Sequence, residues 1–187
     1  MSTASAAAPT LMTAVEFARR PDPGYPEELV RGRIVPMPPP TRRHGQICSK
    51  SVRIFGNFAE EHDLGQVLSN DSGVITEQGP DTVRGADVAF YSYSRIPRGP
   101  LPADYGEVPP ELIVEVRSPS ERWPKILTKV AEYLNAGVLA VVVLDDDTRT
   151  ALLCLADQAP RRLGPDDELS LPEILPGFAV TVRRFFE

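Results

Sequence analysis

The sequence has little of what would mark it as secreted, membrane-bound or nucleic-acid-coating. Only two cysteines, Cys48 and Cys154, occur in 187 residues. They are far apart and form no metal-type spacing, which predicts reduced, structural thiols. No apolar run approaches the roughly 20 residues that span a bilayer, so a membrane partner is not expected. The opening MSTASAAAPT lacks the basic and apolar regions of a secretory signal, and residues 1–11 are read as a disordered tail of a cytoplasmic protein. Positive charge is also short: the net charge of −6 argues against a protein that coats nucleic acid, unless acidic residues gather at a metal and Arg42, Arg43, Lys125 and Lys129 line its rim. No internal repeat is evident, and residues 12–187 are expected to form one domain.

What is present is an ordinary soluble composition, 42% hydrophobic and 25% charged, punctuated by 20 prolines in turn-like clusters. LMTAVEFARR predicts a short helix capped by Thr13, and ELVRGRIVPM a strand–turn–strand about Gly32. From His44 to His62, Ile47, Ser51, Ile54, Phe55 and Phe58 share one helical face. GQVLS and GVITE read as two short strands, followed by strands in DVAFYS and ELIVEV. KILTKVAEYLNAG reads as a helix stopped by Gly137, VLAVVVLD as a central strand, and ALLCLAD and FAVTVRRFF as later strands. A helix between ELIVEV and VLAVVVLD suggests a parallel crossover, whereas the short earlier turns suggest antiparallel neighbours. The expected architecture is α/β, a mixed β-sheet flanked by helices.

Two carboxylates break this apolar pattern. Alternation in ELIVEVR puts Ile113, Glu115 and Arg117 on one face, and in ADVAFYS it puts Asp87, Ala89 and Tyr91 together. If the two strands are antiparallel neighbours, the start of one lies beside the end of the other and Asp87 approaches Glu115. A buried ionised carboxylate costs several kcal/mol unless it is paired, hydrogen-bonded or metal-bound. Converging carboxylates therefore point to Mg²⁺ or Mn²⁺, which keep waters and leave room for a phosphate oxygen. Lys125, Lys129 and Tyr133 follow at i, i+4, i+8, a spacing that can aim Lys129 at the acids to stabilise charge or assist water deprotonation. Tyr133 is expected in the core, Trp123 over the helix start, and Asp145, Asp146 and Asp147 in a solvated hairpin.

RGADVAF, PPELIVEVRSPSE, KVAEYLNAGV and LPGFAV, with EELVRGRIVPMPPPTRRHG near the start, resemble the Uma-type restriction endonucleases, a branch of the PD-(D/E)XK nuclease superfamily. The likeness runs from about residue 12 to the C-terminus. It implies a restriction-endonuclease-like core, a divalent metal and hydrolysis of phosphodiester bonds in nucleic acid, with DNA the expected substrate. On this likeness Asp87 and Glu115 are the motif acids, the Val116 carbonyl and Glu28 further metal ligands, Lys129 the catalytic lysine, and His44 the histidine before the first long helix. Ala86 stands where the family has proline, and Arg117 where the superfamily has lysine. Arginine cannot act as a base, so Arg117 is assigned to clamping phosphate or pairing with a carboxylate, and with Lys125 and His44 to substrate binding. Double-strand cutting by such a domain favours a homodimer. A catalytically weak protein of the same fold, acting as a binding or regulatory module, is the alternative.

Overall fold

The computed structural model describes residues 11–118 and 121–187; the expected tail, residues 1–11, lies outside them except for Leu11. A five-residue helix, α1 (Ala14–Ala18), is closed by a capping box between Thr13 and Glu16, as the Thr-x-x-Glu spacing dictates. The hairpin β1 (Glu27–Val30) and β2 (Arg33–Pro36) turns through Arg31 and Gly32, both at positive φ. The long helix α2 (Arg42–Glu61) starts two residues before His44 because the Thr41 side chain accepts the His44 N–H. Its apolar face, Ile47, Phe55 and Ala59, is buried.

Strands β3 (Gly65–Glu77) and β4 (Thr82–Ser92) form a long antiparallel pair. The two short strands expected from GQVLS and GVITE are therefore one. The Ser-Asn-Asp-Ser stretch between them has turn chemistry, but tertiary pairing uses it as a bulge. Asn70 and Asp71, both at positive φ, are two residues set against the single Asp87 of β4, and such bulges bend a strand and re-aim side chains. Gly85 makes room for it, since a Cβ there would lie 2.9 Å from the Asp71 Cβ. β4 also begins five residues earlier than DVAFYS, which puts Asp87 in mid-strand rather than at a strand start.

β5 (Leu112–Arg117), α3 (Trp123–Asn135) and β6 (Ala140–Asp145) form the expected crossover, with β5 and β6 parallel and every residue of both buried. α3 starts at Trp123, with Pro124 in its first turn, and Gly137 takes the positive φ that ends it. β7 (Thr150–Leu155) and β8 (Arg161–Leu163) extend the sheet. β9 (Glu168–Ser170) and β10 (Ala179–Thr181) make a separate two-stranded sheet. FAVTVRRFF, expected to be one strand, leaves β10 for a 3₁₀ turn over Val182–Phe185, because Phe178 and Phe185 stack on Phe55 of α2, 4.9 and 5.6 Å between ring centres.

The main sheet runs β2-β1-β4-β5-β6-β7-β8, with β3 paired to β4 along its whole length. One layer, with Ile47 and Phe55 of α2, covers Val88, Val114, Val116 and Val142; the other, with Ile126, Val130 and Tyr133 of α3, covers Ala89, Ile113, Val141 and Val143. The edge of β4 opposite β3 is shared. β1 meets it at Val83 and β5 at Val88–Phe90, so the sheet forks over residues 84–87.

Candidate active site

The fork brings acids from three strands together. Val88 pairs with Val114, and continuing that antiparallel register places Asp87 beside Glu115. Beyond Val114 no β4 partner remains for β5, and the free Val116 N–H donates to Asp87 Oδ2 at 2.6 Å. A residue's N–H and C=O leave a strand on the same side, so the Val116 carbonyl also faces the fork.

Glu115 is wholly enclosed. Burial pushes its carboxyl up to about 8, against the pull of Lys129 and with the push of Asp87. Its Oε1 accepts the Tyr133 hydroxyl at 2.9 Å, and its Oε2 lies 3.7 Å from Lys129 Nζ. Tyr133, expected to be core packing alone, is buried as expected and also holds this carboxylate, with its own hydroxyl pushed well above its usual range by burial and Glu115. Lys129 is buried too, and although burial opposes its charge, Glu115 and Glu28 outweigh it and raise its pKa. The lysine is thus a fixed cation.

Glu28 does not stand free among the metal ligands. Its Oε1 lies 3.0 Å from Lys129 Nζ and its Oε2 2.8 Å from Arg84. Burial alone would raise its carboxyl, but Lys129 and Arg84 hold it below the usual value. Arg84 is held in turn by a two-point contact with Glu132 of α3, at 2.6 and 2.9 Å. Glu132, Arg84, Glu28 and Lys129 form a chain of alternating charge that ends at the Glu115 carboxyl and neutralises Glu28 without a metal on it.

His44 reaches Asp87 from the other layer, Nε2 to Oδ2 3.3 Å, while its Nδ1 lies 3.4 Å from Cys48 Sγ. The bonds to Asp87 and Cys48 push the imidazole up to about 11, so it is protonated at neutral pH. Asp71, carried in by the bulge, has its carboxyl raised by burial and by Asp87. Glu28, His44, Asp71, Asp87, Glu115 and Lys129 border a cleft of about 530 Å³ whose rim includes Ser118, Glu121, Arg122 and Lys125. Lys125 stands at its rim, 3.5 Å from Glu121.

Arg117 is not brought to the cleft. Its guanidinium is bound to Asp145 at 2.8 Å and Asp147 at 2.5 Å, donates to the Glu121 carbonyl, and lies over the Trp123 ring. Of the two roles the sequence allowed it, the structure has it pair with carboxylates. The same contacts correct the solvated-hairpin expectation: Asp145 is buried against Arg117, and Asp146 binds Arg43, which removes Arg43 from the rim. Sequence reasoning also missed Arg84, Glu132, Asp71 and Cys48. Cys48 alone carried a local signal, its i, i+4 spacing from His44. His44, Cys48 and Asp87 each offer one ligand atom within 4.8 Å of the others, a possible metal-binding group.

Among the described residues no helix is long and apolar enough to cross a membrane. No curated protein matches the chain. A crystal structure from Anabaena variabilis, described as a putative nuclease belonging to DUF820, superposes with a TM-score of 0.81 at 20% identity, covering 94% of this chain and 97% of that one. At that identity the likeness is one of fold, and it is a nuclease fold, a mixed sheet flanked by helices with a restriction-endonuclease-like core. A family model matches nearly the whole chain, over residues 14–183, and the protein therefore belongs to the Uma2 family, described as "Putative restriction endonuclease".

Proposed function

We propose that this protein is a metal-dependent nuclease that hydrolyses phosphodiester bonds in nucleic acid, with DNA as substrate and Mg²⁺ or Mn²⁺ as cofactor. The observation that carries the reading is the fork, where Asp87, Glu115 and the Val116 backbone converge beside a buried lysine. The donor set fits such an ion: two carboxylates and a carbonyl are the hard oxygen ligands Mg²⁺ and Mn²⁺ select. Burial pushes the Glu115 carboxyl up to about 8, a penalty on its ionised form that a bound cation would relieve. Asp87, Glu115 and the Val116 carbonyl would hold the ion, with Glu28 moved from the ligands to the positioning of Lys129. When bound, it supplies Lewis acidity and a water of lowered pKa.

The chain's own residues do the rest. Lys129, kept cationic by Glu28 and Glu115, is unsuited to removing a proton from water and suited to stabilising charge that develops on phosphate. Of the two roles open to it, this favours charge stabilisation. His44, also cationic, binds a phosphate oxygen from the α2 side, and Lys125 steers the backbone from the rim. Arg117 braces the end of β5 through Asp145 and Asp147 and takes no part in binding. We further propose a cytoplasmic protein acting as a homodimer, so that two such clefts cut two strands.

Supercoiled plasmid incubated with purified protein and Mn²⁺ should be nicked by the wild type, and not by Asp87→Asn, Glu115→Gln or any protein in EDTA. Equal nicking by wild type and both variants would refute the assignment. The second reading, a binding module with little turnover, draws on the net charge of −6 and on Arg117 being turned from the cleft. It predicts DNA retention without nicking by the wild type.

A further inference from the structure

Cys48 adjoins the candidate site yet has no part in the hydrolysis proposed above. One turn of α2 separates it from His44, which puts both side chains on one face of the helix. Asp87 approaches the same point from β4, so an imidazole nitrogen, a sulfur and a carboxylate oxygen all lie within 4.8 Å of one another. The sulfur already sits 3.4 Å from His44 Nδ1. Zn²⁺ is bound tetrahedrally by N, S and O ligands at about 2.0–2.3 Å, which sets neighbouring ligands about 3.3–3.8 Å apart. The Cys48–His44 separation already falls in that range, and side-chain rotation over about 1 Å brings in the carboxylate. Mg²⁺ and Mn²⁺, by contrast, prefer oxygen donors and would not draw on a thiolate.

We propose that His44, Cys48 and Asp87 form a three-ligand site for a thiophilic divalent cation of the Zn²⁺ class, with the fourth position open to the cleft. Ligation through His44 Nδ1 takes a thiolate and a neutral imidazole, so the Cys48 proton and the His44 Nδ1 proton leave to solvent as the metal enters, and the imidazole keeps its Nε2–H. The site shares Asp87 with the proposed hydrolytic centre. A cation on His44 and Cys48 therefore withdraws that carboxylate from Mg²⁺ or Mn²⁺ and inhibits cleavage, a consequence that alone rests on the nuclease reading.

Co²⁺ titrated into the reduced full-length protein at neutral pH tests the site directly. The wild type should develop a thiolate-to-cobalt charge-transfer band with the visible bands of tetrahedral Co²⁺, and equimolar Zn²⁺ should abolish both. Cys48→Ser should lose the charge-transfer band, and His44→Gln should weaken Co²⁺ binding by about tenfold or more. Cys154→Ser, which changes a cysteine buried in the other layer, should keep the band. Circular dichroism of each variant establishes that it is folded. Absence of a thiolate band in the wild type, or its persistence in folded Cys48→Ser, would overturn the proposal. None of these readouts needs turnover, so they stand or fall apart from the plasmid-nicking result.

Discussion

Replacing Glu115 with glutamine should make the metal-free protein more stable in alkaline solution. The Glu115 carboxyl is pushed from 4.5 to about 8 by burial, so the fold favours its protonated form. That preference is fully available below about pH 4.5 and is lost as pH rises towards 8. At about 1.36 kcal/mol per pH unit the ionised acid costs the fold up to about 5 kcal/mol above pH 8. Relaxation around the charge lowers this ceiling, and a gain of about 2–4 kcal/mol is expected for the neutral isostere at pH 9. Glutamine can still accept the Tyr133 hydroxyl, which lies 2.9 Å from Oε1. The assay is urea unfolding in EDTA at pH 5 and pH 9, with the slope m unchanged. The variant should match the wild type at pH 5 and exceed it at pH 9, a Tm difference of about 4–16 °C for a chain of this size. Adding Mn²⁺ at about 100 times its Kd should stabilise the wild type by about 2.7 kcal/mol and leave the variant unchanged. A variant less stable than the wild type at pH 9, or an equal gap at both pH values, would refute the reasoning.

Lys129→Met removes the cation between Glu28 and Glu115, which lie 3.0 and 3.7 Å away; unfolding should show a loss of about 3–5 kcal/mol at neutral pH, and adding Glu28→Gln, which neutralises the acid left ionised, should recover part of it. Arg117→Met should cost about 3 kcal/mol, because Asp145 is left buried and unpaired, while the affinity for Mn²⁺ by calorimetry stays unchanged; unchanged stability with lost metal or DNA affinity would return Arg117 to the cleft. Gly85→Ala presses a Cβ to within 2.9 Å of the Asp71 Cβ, so thermal unfolding should register about 1–3 kcal/mol of overpacking, and NMR shifts should change at Asn70 and Asp71.

The parts of the fold legible in the sequence are those set by local pattern. The β-branched run of β6, the crossover helix α3 with Gly137 behind it and the Thr13 cap all follow from periodicity, branching and capping within a few residues. The meeting of Asp87 and Glu115 was legible for the same reason: alternation assigns each to a face and an antiparallel register does the rest. Where the reading stopped, the determinant was distant in the chain. Ser69–Ser72 has turn composition, and only pairing with β4 makes it a bulge. Arg84 and Gly85 look like a turn before a strand, yet Arg84 is buried because Glu28 and Glu132, 56 and 48 residues away, neutralise it. Arg117 likewise found Asp145 and Asp147, about a crossover's length downstream, and no spacing within β5 announces that. Charged residues in a strand thus signal a network without naming its members.

The proposed hydrolysis requires one divalent cation held jointly by the β4 and β5 carboxylates. Anomalous diffraction from a crystal soaked in Mn²⁺ measures this directly. A peak is expected at the fork, coordinated by Asp87, Glu115 and the Val116 carbonyl, with Asp87 released from the Val116 N–H. A map in which that bond and the Lys129–Glu115 contact persist, with no peak between the two carboxylates, would contradict it.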